Sequence, residues 1–356
     1  SPSADPYDHI IETLNQDLND ATRADNAEGM WMQPLATKDG YRNSSRERIL
    51  ATACKKDPLH YDGLSTEERE QQCKDDGLWD NEFNRPLLTL QANSLVTKVL
   101  LKEGSNNHVG GVEYLYGQNI YKADLKAVDQ PNLVPQQVHA KKEVILSAGV
   151  YNSPQILMMS GIGDKNLYLR SEIDIPHIKE LKGVGKNLQE HYEVGVVVAT
   201  PENTKWYEDC FVNPLGEDSD CLEELANIAH GEAEGTLGST NFSVGSIMQK
   251  STPDKLDPDL HVYSIVGDFR GYYNGYALSG LLSPNHFSWM ILKGHTEHKG
   301  GYLTLRTDDP TDYPEINFQY FEDGDAATVE LGGNPNASAT DMDATMKGVK
   351  MIREVV

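Results

Sequence analysis

The sequence lacks any long apolar stretch. Its hydrophobic fraction is 38% of 356 residues, and no uninterrupted apolar run approaches the roughly 20 residues that a helix needs to span a bilayer. The first residues, SPSADPYD, are polar and acidic and carry no signal-peptide pattern. We therefore expect a soluble chain with no membrane span, whose start is that of a processed or truncated protein.

Basic residues are scarce. Lys and Arg total 31 against 55 Asp and Glu, which gives a formal net charge of −24. A surface with this charge repels phosphate backbones, and the pairs Lys55–Lys56 and Lys141–Lys142 are too isolated to form a basic patch. We expect no nucleic-acid partner.

Several catalytic signatures are also missing. The chain contains no Walker loop, no G-x-S-x-G elbow, no H-E-x-x-H and no EF-hand loop. His295 and His298 have a spacing that could seat a metal on a helix, but they lie between a strand pattern and Gly300-Gly301, where a turn is the better explanation. We predict no metal site.

Only four cysteines occur, in two local pairs: Cys54 with Cys73, and Cys210 with Cys221. Each pair encloses a polar segment that a disulfide would order. Sequons for N-glycosylation begin at Asn43, Asn241 and Asn336. Together these features favour an extracellular, secreted glycoprotein with disulfides; reduced thiols and chance sequons are the alternative.

In the first half of the chain, hydrophobic periodicity predicts helices near 9–19 and 46–53 and a polar excursion over 55–86. Strands follow at 87–90, 95–101 and 109–116, the last two as a hairpin, and a buried strand at 143–149. The next helix is expected to start at an N-cap Ser153, with Pro154 in its first turn, and to stop at Gly161.

The second half is richer in strand patterns, at 194–200, 241–248, 260–266, 286–292 and 302–306. A terminal helix is predicted over 341–355, with Met346, Val349, Ile352 and Val356 spaced along its apolar face. We predict an α/β fold (mixed α+β) with two domains, residues 1–165 and 166–356.

The turn between the predicted strand and helix is the most informative element. Gly149, at the end of an apolar run, would let backbone approach a ligand closely, and the following helix would point its positive N-terminus at the same place. This arrangement suits a phosphate-bearing cofactor. An ordinary tight turn is the alternative.

Five segments in sequence order resemble the glucose–methanol–choline (GMC) family of flavin oxidoreductases. They are residues 41–48 (YRNSSRER), 87–101, 149–163 (GVYNSPQILMMSGIG), 183–191 (GVGKNLQEH) and 300–318. Val150 departs from the small residue usual at its place, and Glu190 replaces Asp. The family's G-x-G-x-x-G loop and its catalytic His are both absent, so the chain resembles an internal portion of such a protein.

The resemblance implies part of a GMC-type FAD-binding domain, over residues 1–165, joined to a β-sheet-based substrate domain. It implies FAD as cofactor, with Val96, Ala148 and Gly149 as the residues that contact it. The implied reaction is oxidation of an alcohol or sugar hydroxyl by hydride transfer to flavin N5, with no catalytic base in this chain. Missing N- and C-terminal portions of the same protein, or a companion chain, would complete the site.

Three further residues are candidates for the substrate pocket. Tyr273 could belong to an aromatic pocket wall or to a stacked surface turn, while His286 and Trp289 could face a pocket or pack in a core. Two other functions remain open at this point: a structural protein that has kept the GMC fold without catalysis, and a GMC-fold lyase that uses its flavin without net oxidation.

Overall fold

A computed structural model of the protein describes residues 16, 18, 20, 28–38, 41–55, 64–102, 104–105, 108–130, 132–202, 243–276, 283, 285–321 and 336–356. The chain forms two compact units. Unit 1 comprises residues 1–90, 191–295 and 342–356, and unit 2 comprises residues 91–190 and 296–341. Both units are discontinuous in sequence. The predicted domain boundary at residue 165 stays a prediction.

The helices of the described residues are α1 (Ser45–Thr52), α2 (Thr66–Asp75), α3 (Gly149–Met159) and α4 (Ala337–Val355). The strands are β1 (Gly29–Met32), β2 (Thr37–Lys38), β3 (Tyr41–Arg42), β4 (Trp79–Asp80), β5 (Arg85–Pro86), β6 (Ser94–Leu101), β7 (Val109–Tyr116), β8 (Gln136–His139), β9 (Ile162–Gly163), β10 (Lys179–Glu180), β11 (Glu193–Ala199), β12 (Ser243–Gln249), β13 (Leu260–Val266), β14 (His286–Lys293), β15 (Tyr302–Thr304) and β16 (Glu315–Asn317). The predicted mixed α/β fold is confirmed.

Unit 1 is built on an antiparallel sheet with strand order β1-β12-β13-β14-β11. Alternation of side chains along each strand divides its residues between two faces. Residues from Met342 onward in α4 cover one face, where Val262, Ile291 and Ile352 are fully buried in one apolar cluster. The sheet therefore has an apolar face under α4 and a second face that carries different chemistry.

The buried side of α4 matches the prediction at Ile352 and at Val349, which packs against the cluster, and differs at Met346. Met346 is 46% exposed, whereas Ala344 and Ile352 are buried in the cluster. The reason is close packing, because a Cβ at Gly348 would lie only 2.5 Å from Cγ2 of the fully buried Ile291. Small residues thus set the contact face, and an apolar pattern alone does not reveal it.

We predict that Gly348→Val destabilises unit 1. The added side chain must displace Ile291, and overpacking of this kind costs about 1–3 kcal/mol in the free energy of unfolding. Thermal or urea unfolding measures the loss. Met346→Val, at an exposed position of the same helix, is the control and should stay within about 0.5 kcal/mol of wild type. Equal stability of both variants would show that the helix does not pack as described.

Helices α1 and α2 lie in the segment predicted as a short helix followed by a polar excursion. The first prediction is confirmed, but α2 and the β4–β5 pair were not expected. Both helices begin with a capping box, Ser44 with Glu47 and Ser65 with Glu68. The hydrogen bond with the Ser44 side chain is the main cause, and that with Arg46 the second, of a Glu47 pKa lowered to about 2. Glu47 is therefore ionised near neutral pH, and the cap is intact there.

A disulfide between Cys54 and Cys73 joins the ends of these helices, as predicted. The two helices have almost no buried side chains, since α1 buries no residue and α2 buries only Cys73. The disulfide therefore does the work that an apolar core between helices usually does. The other predicted pair, Cys210 with Cys221, lies outside the described residues, as do the helix predicted at 9–19 and the sequon at Asn241.

Reduction of this disulfide, or the double change Cys54→Ser and Cys73→Ser, should loosen α1 and α2 while leaving the sheet of unit 1 intact. A bridge with a sequence separation of 19 contributes about 3 kcal/mol in the chain-entropy description. Hydrogen exchange followed by mass spectrometry should show faster exchange over 45–52 and 66–75, with β13 as the internal control. Unchanged protection of both helices would mean that other contacts hold them.

Unit 2 combines the three-stranded antiparallel sheet β6-β7-β8 with helix α3. An apolar cluster joins Met158, near the end of α3, to Leu303 of β15 and to Leu167, which lies in a short 3-10 turn. The predicted hairpin of β6 and β7 is confirmed, as is the helix end before Gly161, whose φ is +76°. Residues 87–90 do not form the predicted strand.

Two predictions around residue 149 are wrong. Residues 143–149 are not a buried strand, because they pair with no described strand and Ile145 is 77% exposed. Helix α3 begins at Gly149, with Ala148 as N-cap, so Pro154 lies inside the helix. The Ser153 hydroxyl instead accepts a hydrogen bond from the Ala148 N–H at 3.0 Å.

The remaining strand predictions of the second half agree with β11 to β15 to within a few residues. Residues 295–298 form no helix, which confirms the prediction of a turn there. Within the ranges given above, none of the helices combines the length and apolarity that a bilayer crossing requires.

Candidate functional site

A cavity of about 530 Å³ lies in unit 2 at the N-terminal end of α3. Its walls are residues 94–97 of β6, the segment 144–148, and one side of α3. The α3 residues are Asn152, Gln155, Ile156 and Met159, whose spacing places them on one helix face. The lining is mostly apolar with a few polar groups, as is usual for small-molecule sites.

The structure brings two of the three predicted cofactor residues together in this cavity. Val96 lines it from β6, and Ala148 lines it from the approach to α3. Gly149 follows Ala148 directly, with φ +91°, a left-handed conformation that favours glycine. No described atom lies within 4 Å of an added Cβ at Gly149, so the backbone here is open to an approaching group.

The start of α3 offers an anion-binding geometry. Its N-cap Ala148 provides no side-chain hydrogen bond, and no acidic residue occupies the first turn. The first N–H groups of a helix have no intrahelical acceptor, and the helix dipole adds partial positive charge there. Phosphate oxygens are suitable partners for such groups, so the cavity fits a dinucleotide with its phosphate beside α3.

Hydrogen bonds fix the polar side chains that line the cavity from Tyr121 and α3. Tyr121 donates from its hydroxyl to Gln155 Oε1 at 2.9 Å, and Gln155 Nε2 donates to the carbonyl oxygen of Asp312 at 2.7 Å. Burial, followed by the negative charge of Asp312, raises the pKa of Tyr121, so its hydroxyl stays a donor. Sequence reasoning missed these residues, although the spacing of Asn152, Gln155 and Met159 along α3 marks a shared face.

Ser160 fixes the distance between the two main walls. Its hydroxyl accepts a hydrogen bond from the Val99 N–H of β6 at 2.9 Å and donates to the Ile156 carbonyl of α3 at 2.5 Å. Ser160 is 7% exposed, so water has little access to either bond. The strand and the helix are therefore held together through one side chain.

Ser160→Ala should leave the Val99 N–H buried without an acceptor, at a cost of about 1–3 kcal/mol in the free energy of unfolding. Denaturant unfolding measures this cost, and hydrogen exchange at Val99 should become faster. Ser147→Ala, which removes an exposed hydroxyl from the same cavity, is the matched control and should be neutral. If both variants unfold like wild type, Ser160 does not join the two walls.

The three candidates for a substrate pocket are not brought together. His286 and Trp289 are three residues apart on β14 and so lie on opposite faces of the sheet in unit 1. Trp289 packs into the apolar cluster under α4, while His286 Nδ1 lies 2.9 Å from Asn285 Oδ1. Tyr273 is 46% exposed in the loop after β13, with its ring 6.5 Å from that of Tyr276.

Residues 60–193 match the family model described as GMC oxidoreductase. This range contains the cavity residues Val96 and Ala148 and the start of α3. We refer to residues 60–193 as the GMC region. The GMC region thus includes α2, the three-stranded sheet and α3, and it ends at the first residue of β11.

Curated relatives extend this similarity beyond the GMC region. Glucose dehydrogenase [FAD, quinone] of Drosophila pseudoobscura is 29% identical over 315 residues, which cover 86% of this chain and 40% of the relative. Oxygen-dependent choline dehydrogenase of Cronobacter sakazakii is 28% identical over 251 residues, which cover 68% of this chain and 38% of the relative. The chain therefore spans about two fifths of the length of these relatives.

Solved structures show the same fold at lower identity. A crystal structure of formate oxidase has a TM-score of 0.53 at 17% identity, covering 75% of this chain and 43% of that chain. An FAD-dependent oxidoreductase from Chaetomium thermophilum has a TM-score of 0.50 at 18% identity, covering 90% of this chain and 50% of that chain. The similarity in both cases concerns the fold.

Proposed function

We propose that this chain is part of an FAD-dependent oxidoreductase that oxidises the hydroxyl of a small-molecule alcohol or sugar. The observation that carries the proposal is the cavity of about 530 Å³ at the start of α3, which has no side-chain cap; apart from Pro310, the residues that line this cavity belong to the GMC region. Two curated relatives support it, since one is named for glucose, FAD and quinone and the other for choline. Neither of these two relatives is named as a lyase or as a structural protein.

In this proposal Val96, Ala148 and Gly149 hold FAD. The apolar lining from β6 and α3 would take a flat heterocyclic ring, and the open backbone at Gly149 would take a phosphate. When bound, FAD supplies the acceptor for a hydride, and the protein supplies its position and electrostatic surroundings.

The proposed oxidation removes a hydride from the alcohol carbon and a proton from the hydroxyl oxygen, which leaves a carbonyl product. FAD held by Val96, Ala148 and Gly149 would supply the hydride acceptor at N5, and a general base would accept the proton. We assign no residue of this chain as the base. The remaining portions of the same protein, or a companion chain, would supply it, and oxygen or another acceptor would take the electrons afterwards.

We also propose that the protein is extracellular. The disulfide between Cys54 and Cys73 supports this, since structural disulfides persist in oxidising compartments. The sequon residues Asn43 and Asn336 are exposed, as glycosylation requires. Intact mass before and after deglycosylation of the protein from its source tests this proposal.

Val96→Asp should weaken flavin binding in the full-length protein by about tenfold or more, because a carboxylate would replace an apolar group in the cavity and repel phosphate. Flavin content, read from the visible absorbance of the purified protein, measures the effect. Val138→Asp is the control, because Val138 lies on β8 of the same sheet, is 54% exposed and does not line the cavity.

Equal flavin content in both variants would remove Val96 from the cofactor site. A full-length wild-type protein without flavin would overturn the proposed function itself. Flavin that stays oxidised with every alcohol and sugar tested would favour a non-redox role.

A further inference from the structure

The turn after β13 contains the only Asn-Gly dipeptide of the sequence, Asn274-Gly275. Both residues are exposed to solvent. The Tyr276 N–H donates to the Tyr273 carbonyl oxygen at 3.0 Å, which makes Asn274 and Gly275 the central residues of a tight turn. Gly275 has a φ of +89°, a conformation that glycine adopts without strain.

The reactive groups of this dipeptide are unrestrained. Within the part of the chain that the structure describes, neither the Asn274 carboxamide nor the Gly275 N–H makes a hydrogen bond. An added Cβ at Gly275 would have no described atom within 4 Å, so nothing crowds the Gly275 nitrogen. The carboxamide is free to rotate toward this nitrogen, and a bond between the nitrogen and the Asn274 Cγ closes a five-membered ring.

The pair Asp76-Gly77, at the end of α2, provides a contrast within the same chain. Here the Gly77 N–H donates to the Lys74 carbonyl oxygen at 3.2 Å, and the Asp76 N–H donates to the Gln72 carbonyl oxygen at 2.8 Å. Attack by the Gly77 nitrogen would have to break the first of these bonds and open the helix end. The fold therefore restrains this pair and leaves Asn274-Gly275 unrestrained.

Aromatic rings surround the turn and make it sensitive to a change in its backbone. The rings of Tyr272 and Tyr276 are 5.2 Å apart, and they lie 5.2 and 5.7 Å from the ring of Phe269. The Phe269 N–H donates to Ser288 Oγ of β14 at 2.9 Å. The turn is thus attached to the face of the sheet in unit 1 that is opposite the cluster around Ile291.

We propose that Asn274 is a site of spontaneous deamidation, which changes the charge and the backbone of this turn with time. The Gly275 nitrogen forms a bond to the Asn274 Cγ, the bond from Cγ to the carboxamide nitrogen breaks, and ammonia leaves with the Gly275 proton. Water then opens the resulting succinimide at either of its carbonyl groups. One opening gives Asp, and the other gives isoaspartate, in which the main chain runs through the former side chain.

Both products place a new carboxylate at position 274, beside the rings of the turn. Isoaspartate also adds a methylene group to the main chain between Tyr273 and Tyr276, where the hydrogen bond of the turn joins these two residues. Water is the only other reactant, and no step depends on the proposed oxidoreductase function.

Incubation of the full-length protein in mildly alkaline buffer, followed by peptide mass spectrometry with electron-transfer fragmentation, tests the site. The peptide that contains residue 274 should gain about 1 Da with time, with Asp and isoaspartate as products. The reaction should proceed within about threefold of the rate in a synthetic peptide with the sequence of residues 269–279, since the folded turn restrains neither group.

Asn274→Gln is the matched variant, because its side chain must close a six-membered ring and should react at least about tenfold more slowly. Asp76 is the internal control and should form no isoaspartate in the same samples. The Tyr276 amide should exchange its hydrogen faster in the aged wild type than in Asn274→Gln aged alongside it.

An unmodified residue 274 in the folded protein, under conditions in which the synthetic peptide reacts, would overturn the proposal because it would show that the fold protects the dipeptide. Equal mass gain in wild type and Asn274→Gln would also overturn it. Equal exchange of the Tyr276 amide in both aged proteins would contradict the proposed change in the backbone of the turn.

Discussion

The hydrogen bonds of Ser160 are the constraint on which the cavity depends. Strand β6 is at the edge of its sheet, so the backbone groups on its outer side have no neighbouring strand. Ser160 satisfies one of them, at Val99, while its own proton goes to the Ile156 carbonyl of α3. One side chain thus fixes an edge strand beside a helix, and the space between them is the site that we assign to FAD.

In unit 1 the corresponding constraint is close approach of α4 to the sheet. Gly348 brings the helix against Ile291, and two residues further along β14 Lys293 forms a buried ion pair with Asp259 at 2.9 Å. Burial alone would raise the pKa of Asp259, but hydrogen bonds from Ser251 and the Lys293 ammonium lower it on balance. Helix α4 thus covers one face of the sheet. The opposite face carries charged and aromatic groups such as Glu193 and Tyr272.

Local patterns predicted much of this structure. The span predicted for β13 matches the observed strand, and the hairpin of β6 and β7 follows from alternating residues around a polar turn. Predictions failed where a distant partner decides the outcome. The apolar run at 143–149 has the composition of a buried strand but has no described strand beside it, and α4 turns Ala344 rather than Met346 to the core because Gly348 permits contact with Ile291.

The sequence by itself determined the family resemblance, the acidity, the first disulfide and two of the residues that line the cavity. Each of these depends on residue identity and on short spacing. Only the tertiary structure decided that Gln155 is fixed by Asp312, that His286 and Trp289 are on opposite faces, and that Glu193 meets Tyr263. These contacts join residues that are far apart in the chain or depend on strand register, and neither is set by local composition.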